Sequence, residues 1–331
     1  MKATFYPAVN EQFGSIAPVK FGIAVLTPDG YDPSKEYPCQ LFIHGMGNLG
    51  AGSKGELENL WLGYAYGPGG SRVNPAVPQD YLTSIDKYGI VTVFVNYKDQ
   101  FQPAHFDYTY QLVQKNFNVV ALWKGDGFSW GAGAWMRIIR DAFPGRLALV
   151  CPVAPTYESG GDWANAKSVV AWLFVNERDD NPPTNMTVTQ RLVGDMNAKT
   201  PTVPAIYTAF DQSGHGGTNQ AFTIAPPVAP NGTGFINAGE NTWELYLDIL
   251  KNGPRQPKTA TVAQPIPPVT SKMVAAGTVT QVGNILLLDA SASTGYAWIG
   301  WRVDKAPIGI NPYTFIKSGG WKVSDTGTVL P

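Results

Sequence analysis

Between residues 20 and 210 the chain repeats one pattern: a short, nearly continuous apolar run, then a longer stretch whose apolar positions are spaced. The runs are KFGIAVLTP (20–28), CQLFIHG (39–45), IVTVFVNY (90–97), VVALWKGDG (119–127), LALVCPVA (147–154), VVAWLFVN (169–176) and PAIYTAF (204–210). Strands of this character are covered on both faces, the condition of a parallel sheet flanked by helices. Helices are predicted over 78–87, 106–116, 130–142, 184–198 and 241–251, the last closed by a glycine stop. An α/β domain with a mostly parallel sheet and helices on both faces is the expectation.

At 252–270 the text changes to NGPRQPKTATVAQPIPPVT, an extended Pro-rich linker. Beyond it, ILLLDASASTGYAWIGWRV and TFIKSGGWKV alternate as β-strands joined by turns do. The predicted organisation is an α/β domain over 1–253, a linker over 254–270 and a small β module over 271–331. A module of about sixty residues has only a marginal core of its own. It is therefore expected either to pack on the large domain or to bind a glycan.

Charge sets the first limits on function. Charged residues make up 15% of the chain and net to −1, which favours neither nucleic acid nor an anionic membrane as partner. No apolar run approaches the length of a membrane span, and no charged-apolar-cleavage pattern opens the sequence. High aromatic content and the β tail point to export, while the lack of a visible signal leaves a cytoplasmic or viral origin open. Two cysteines and three scattered histidines supply no zinc-type cluster, so neither a metal nor a cofactor is expected.

KGDGFSWGAGAW (124–135) places Ser129 between glycines two positions before and after it. With 36 glycines in 331 residues, about one shuffled chain in six would carry G-x-S-x-G, so the surroundings must decide. Here an apolar run enters and a small-residue helix leaves, as a strand-turn-helix nucleophile elbow requires. A serine hydroxyl needs a base, and of His44, His105 and His215 only His215 follows both the serine and a candidate acid along the chain. ERDDNPP, after the run at 169–176, offers Asp179 first and Asp180 second as the acid that fixes the imidazole.

Donors for a developing oxyanion are expected from the backbone N–H groups of Trp130 and of Met46, the latter in the glycine-rich HGMGNLGAG (44–52). His44 would hold that loop or line the substrate site beside it, and His105 is read as a surface or rim residue. Trp61, Tyr64 and Tyr66 in ENLWLGYAYGPGG either bind a sugar ring or aromatic acyl group, or simply cover the core.

Taken together, IHGMG after a strand, GFSWG at an elbow, NERDDNPP after a later strand and SGHGG near the domain end resemble the α/β-hydrolase superfamily. Within it the pattern is most similar to secreted esterases that include feruloyl and acetylxylan esterases, polyhydroxybutyrate depolymerase-like enzymes and proteins often labelled predicted peptidases. The resemblance covers roughly residues 15–252. It implies the α/β-hydrolase fold with an eight-stranded sheet whose second strand is antiparallel, and a Ser-Asp-His mechanism without a cofactor. In such a sheet the fifth strand separates the third from the sixth, which implies free thiols at Cys39 and Cys151. LLLDASASTG (286–295) resembles the start of a PKD-type Ig-like repeat.

Three readings follow. A serine carboxylic-ester hydrolase would act on a small-molecule or polymeric ester carrying an acetyl, feruloyl or polyester linkage. A serine peptidase would use the same triad on an amide. A non-catalytic glycan- or surface-binding protein would use the aromatic C-terminal part.

Overall fold

The computed structural model describes residues 1–7, 21–62, 77–140, 145–157, 162–228, 236 and 238–260 in full. It describes the backbone alone at 8–13, 16–20 and 141, and in six short strands beyond residue 277. The chain divides into two compact units, Met1–Ala260 and Thr261–Pro331.

The first unit holds eight strands: β1 (Lys2–Phe13), β2 (Ile16–Thr27), β3 (Cys39–Ile43), β4 (Val91–Tyr97), β5 (Trp123–Phe128), β6 (Leu147–Val153), β7 (Val170–Arg178) and β8 (Ile206–Ser213). They form one sheet in the order β1-β2-β4-β3-β5-β6-β7-β8. β2 runs antiparallel to both its neighbours and every other pairing from β4 onward is parallel. This is the sheet that the resemblance implied. Cys39 on β3 and Cys151 on β6 are buried and unpaired, with β5 between their strands.

β1 was not among the expected strands. It contains Pro7, which cannot donate to a ladder and so is confined to sheet edges and bulges. The structure puts β1 at the edge, with a register shift between Tyr6 and Val9.

Alternation along the strands sends side chains to two cores. Leu41 and Ile43 of β3 join one core, with Phe106 and Val113 of α3 (Pro103–Asn116), Trp135 and Ile138 of α4 (Trp130–Asp141) and Leu192 of α5 (Met186–Asn197). Phe42 joins the other, with Leu57 and Leu60 of α1 (Lys54–Leu62), Tyr81 and Ile85 of α2 (Gln79–Tyr88) and Trp243 and Tyr246 of α7 (Thr242–Asn252).

α1 also escaped the sequence reading, although its start was written there. Ser53 and Glu56 form a reciprocal cap: Ser53 N–H donates to Glu56 Oε2 at 2.8 Å and Glu56 N–H to Ser53 Oγ at 3.3 Å. A short α6 (Thr218–Ala221) follows β8. Among the described residues no helix is long and apolar enough to cross a membrane.

The second unit contains β9 (Thr278–Val282), β10 (Ile285–Asp289), β11 (Arg302–Asp304), β12 (Thr314–Ile316), β13 (Gly320–Ser324) and β14 (Thr328–Leu330). They pair as a four-stranded sheet, β12-β13-β10-β9, and a two-stranded one, β11-β14. The rest of LLLDASASTG after Asp289 lies outside the described residues.

Candidate active site

Ser129 sits between β5 and α4 with φ at +54°, a left-handed value that a non-glycine residue holds only when its surroundings impose it. Two backbone bonds do so: Ser129 N–H donates to Val153 O, and Gly133 N–H to Ser129 O, both at 2.9 Å. The flanking glycines are required by space. A Cβ on Gly131 would lie 2.0 Å from Ile43 O, and one on Gly127 would lie 2.9 Å from the Gly131 backbone. The tight turn leaves Ser129 half-buried at the carboxyl end of the parallel strands.

Asp179 follows β7 and its side chain is fully buried, whereas Asp180 is exposed. Asp179 Oδ1 accepts Asn181 N–H at 2.9 Å, and Oδ2 lies 3.0 Å from His215 Nδ1. The His215 loop leaves β8 through Gly214 (φ +79°) and is tied to β7 twice, by Gly214 N–H to Arg178 O and by Asn176 Nδ2 to Gly214 O, both at 2.9 Å.

The His215 ring lies against Phe128, the residue before Ser129, with centroids 4.8 Å apart. Its Nε2 is buried and has no hydrogen-bond partner. Asp179 and His215 are thus joined directly, and the ring that packs on His215 is that of Phe128, the residue before Ser129. A hydrogen bond from Ser129 to Nε2 is not made, which is common before a substrate closes such a site.

The loop after β3 leans on the elbow. A Cβ on Gly45 would come within 3.3 Å of Ser129 Cβ, so this backbone passes directly over the serine. Met46 opens a 3₁₀ turn (Met46–Asn48) with its side chain 60% exposed. Trp130 is the first residue of α4, where a backbone N–H has no acceptor inside the helix.

His44 has no surface to offer a ligand, which corrects its reading as a substrate-lining residue: it is fully buried. Its ring stacks on Tyr97 at 4.3 Å, its Nδ1 pairs with Gly45 O at 2.7 Å, and Tyr97 Oη donates to its carbonyl at 2.6 Å. Asn96, which the sequence did not flag, donates to Asn48 O at 2.8 Å and accepts from Gly52 N–H at 3.0 Å. Together they hold the loop over Ser129.

His105 is likewise no rim residue. It is buried at the third position of α3, between the rings of Phe21 and Phe101, and its Nδ1 accepts Gln102 N–H at 3.0 Å.

Trp61 is 8% exposed and packs on Phe5 and Phe94, so most of it belongs to the core. Its remaining surface lines a cavity of about 520 Å³ with Val77, Pro78, Gln79, Asp80, Leu82 and Asn219. Tyr64 and Tyr66 lie outside the described residues. Among the described residues no three His, Cys, Asp or Glu side chains are grouped to hold a metal.

Burial pushes both His44 and His105 down to about 4. Their folded values lie below the unfolded value near 6.5, so the unfolded chain takes up these protons first and stability falls as pH drops from about 6.5 to about 4. His44 alone contributes on the order of 3 kcal/mol to this loss. Urea unfolding at pH 7 and pH 4.5 measures it; equal stability at the two would show that these rings are not held neutral by burial.

No protein-family model and no curated protein matches this chain. Among solved structures it is similar to a thermostable esterase (TM-score 0.46, 15% identity, 65% of this chain and 54% of that one). It is similar also to an alpha/beta hydrolase enzyme from a Medee basin deep-sea metagenome library (0.46, 13%, 66% and 85%) and to Pyrococcus horikoshii acylaminoacyl peptidase (0.45, 9%, 66% and 38%). The chain spans about half the length of the thermostable esterase and well under half that of the peptidase.

Proposed function

We propose that this protein is a serine hydrolase that cleaves carboxylic esters, on a carbohydrate or another polymer, through an acyl-enzyme on Ser129. The observation that carries the reading is the Asp179–His215 pair at 3.0 Å, with an unpartnered Nε2 on a ring packed against Phe128, the neighbour of a serine held at φ +54°.

Asp179 accepts a hydrogen bond from Nδ1–H and so keeps the Nε2 lone pair available. As Ser129 Oγ attacks the ester carbonyl carbon, its proton passes to Nε2 and the carbonyl oxygen becomes an oxyanion. The N–H groups of Trp130 and Met46 would donate to that oxygen, an interaction of about 3 kcal/mol per donor in such sites. Collapse breaks the bond to the alcohol oxygen, which leaves with the proton from Nε2. Water then repeats the sequence on the acyl-enzyme, with His215 first as base and then as acid.

Reaction with a fluorophosphonate probe and peptide mapping tests the reading, because the probe labels only an activated serine. Label on Ser129, absent in His215→Ala, is expected, together with turnover of short p-nitrophenyl esters. Label with cleavage of peptides alone would move the substrate to amides. A folded, unlabelled wild-type protein would sink the catalytic reading and leave the binding one.

A further inference from the structure

Thr184 lies in neither the expected triad nor the oxyanion loop, yet it reaches the centre of the site. Its side chain is buried, and its Oγ1 is 3.0 Å from His215 Nδ1, 3.3 Å from Asp179 Oδ2 and 3.3 Å from Asn181 O. Nδ1 faces two oxygens at the same distance, the carboxylate and the hydroxyl, and in the tautomer that a base at Nε2 requires it carries the ring proton toward them.

A hydroxyl has one proton to give and two lone pairs to receive with. Donating to Asp179 or to Asn181 O, Thr184 still presents a lone pair to the Nδ1 proton. The imidazole is then gripped by two acceptors, both carried by the loop between β7 and α5. Two grips restrict the rotation of the ring about its bond to Cβ more tightly than one does.

The local sequence explains why the hydroxyl is where it is. Asn181-Pro182-Pro183-Thr184 closes a turn, with Thr184 N–H donating to Asn181 O at 3.0 Å. Both central residues are prolines, whose φ is fixed by the ring. Immediately after, Asn185 caps α5, its Oδ1 accepting Val188 N–H at 3.1 Å. Thr184 is therefore clamped between a stiff turn and a helix start, and its position does not depend on His215.

We propose that Thr184 is a positioning residue for His215, orienting the imidazole by sharing its Nδ1 proton with Asp179. The inference rests on the reading of Ser129 and His215 as nucleophile and base, and it adds a member that neither motif nor chain order indicates.

The test compares wild type with Thr184→Val, which keeps shape without the hydroxyl, and Thr184→Ser, which keeps the hydroxyl. In Thr184→Val, kcat on a p-nitrophenyl ester is expected to fall by about tenfold to a hundredfold with KM nearly unchanged, as a misoriented base predicts. Thr184→Ser is expected to recover most of that loss. Should the valine variant fail to fold, Thr184→Ala set against Thr184→Ser makes the same comparison.

Proton NMR supplies a readout that needs no turnover: the low-field His215 Nδ1 proton should exchange with water faster in Thr184→Val than in wild type or Thr184→Ser. Wild-type kcat and exchange in a folded Thr184→Val variant overturn the proposal, as does a serine variant no better than valine. An unlabelled wild type in the fluorophosphonate experiment is a different failure, that of the serine-hydrolase reading itself, and the exchange comparison still reports on the Thr184 contact.

Discussion

Asp179→Asn is expected to lower kcat by about 10⁴-fold, the scale on which a triad fails when its histidine is held in the wrong tautomer. Asp180→Asn should leave kcat within about twofold, since exposed substitutions away from such a network have little effect. Asparagine has the same shape as aspartate but only one acceptor oxygen. Asn181 N–H donates to Oδ1 of Asp179 at 2.9 Å from a rigid turn, so in the variant the amide oxygen would take that place. The amide NH₂ group must then face His215 Nδ1 and Thr184. That forces the ring proton onto Nε2, where it blocks acceptance of the Ser129 proton. The loss should fall on kcat with little change in KM or in melting temperature. If Asp180→Asn carries the loss instead, the acid has been assigned to the wrong carboxylate.

These two aspartates show where the sequence stops being legible. They are neighbours after the same strand, and spacing cannot separate them. Burial does: one side chain turns inward under the His215 loop and the other faces solvent. The parallel strands were readable because both faces are covered, which leaves a continuous apolar run in the text. β1 was not, because an edge strand tolerates Pro7 and the polar residues Lys2 and Glu11 and so loses that signature.

α1 is foreshadowed by the Ser53 and Glu56 pair, which stands just after the glycine-rich stretch 44–52. Ser129 is singled out by its motif and the strand and helix around it, and His215 by order along the chain. Thr184 is not, because its contact with His215 spans 31 residues and is made by the fold alone. His105 misleads for a related reason: a histidine just before a helix looks exposed, and only packing shows that its ring is sealed by aromatic neighbours, whereas His44 holds its loop as one of its two readings expects.

Lys124→Met should be the most destabilising single change outside the site, by about 3–5 kcal/mol, because it strands a buried carboxylate. Lys124 and Asp126 are two residues apart on β5, so they share a face, and neither is exposed at all. Nζ lies 2.5 Å from both carboxylate oxygens, and Tyr81 Oη donates to Oδ2 at 2.7 Å. Around the ammonium stand the rings of Phe222 and Trp243, at 5.4 and 5.3 Å, so no water replaces a lost partner.

Burial pushes the Asp126 carboxyl above its usual range, and Lys124 and Tyr81 pull it back. Removing the lysine leaves the upward push opposed by the Tyr81 hydrogen bond alone. For a unit of this size the cost corresponds to a melting temperature lower by roughly 10 °C. Lys124→Met with Asp126→Leu should recover most of it, since replacing both ions by apolar groups is often neutral, apart from about 1 kcal/mol for the orphaned Tyr81 hydroxyl.

The double-mutant cycle therefore should show strong coupling. Additive losses would mean that the two side chains contribute independently and that no ion pair between them stabilises the fold. The outcome bears on catalysis because Asp126 precedes Ser129 by three residues and its carbonyl accepts Trp135 Nε1 at 2.6 Å, tying β5 to α4 on the two sides of the elbow. A loosened β5 in Lys124→Met should relax the backbone that holds Ser129 at positive φ. Fluorophosphonate labelling should then slow at temperatures where the variant is still folded.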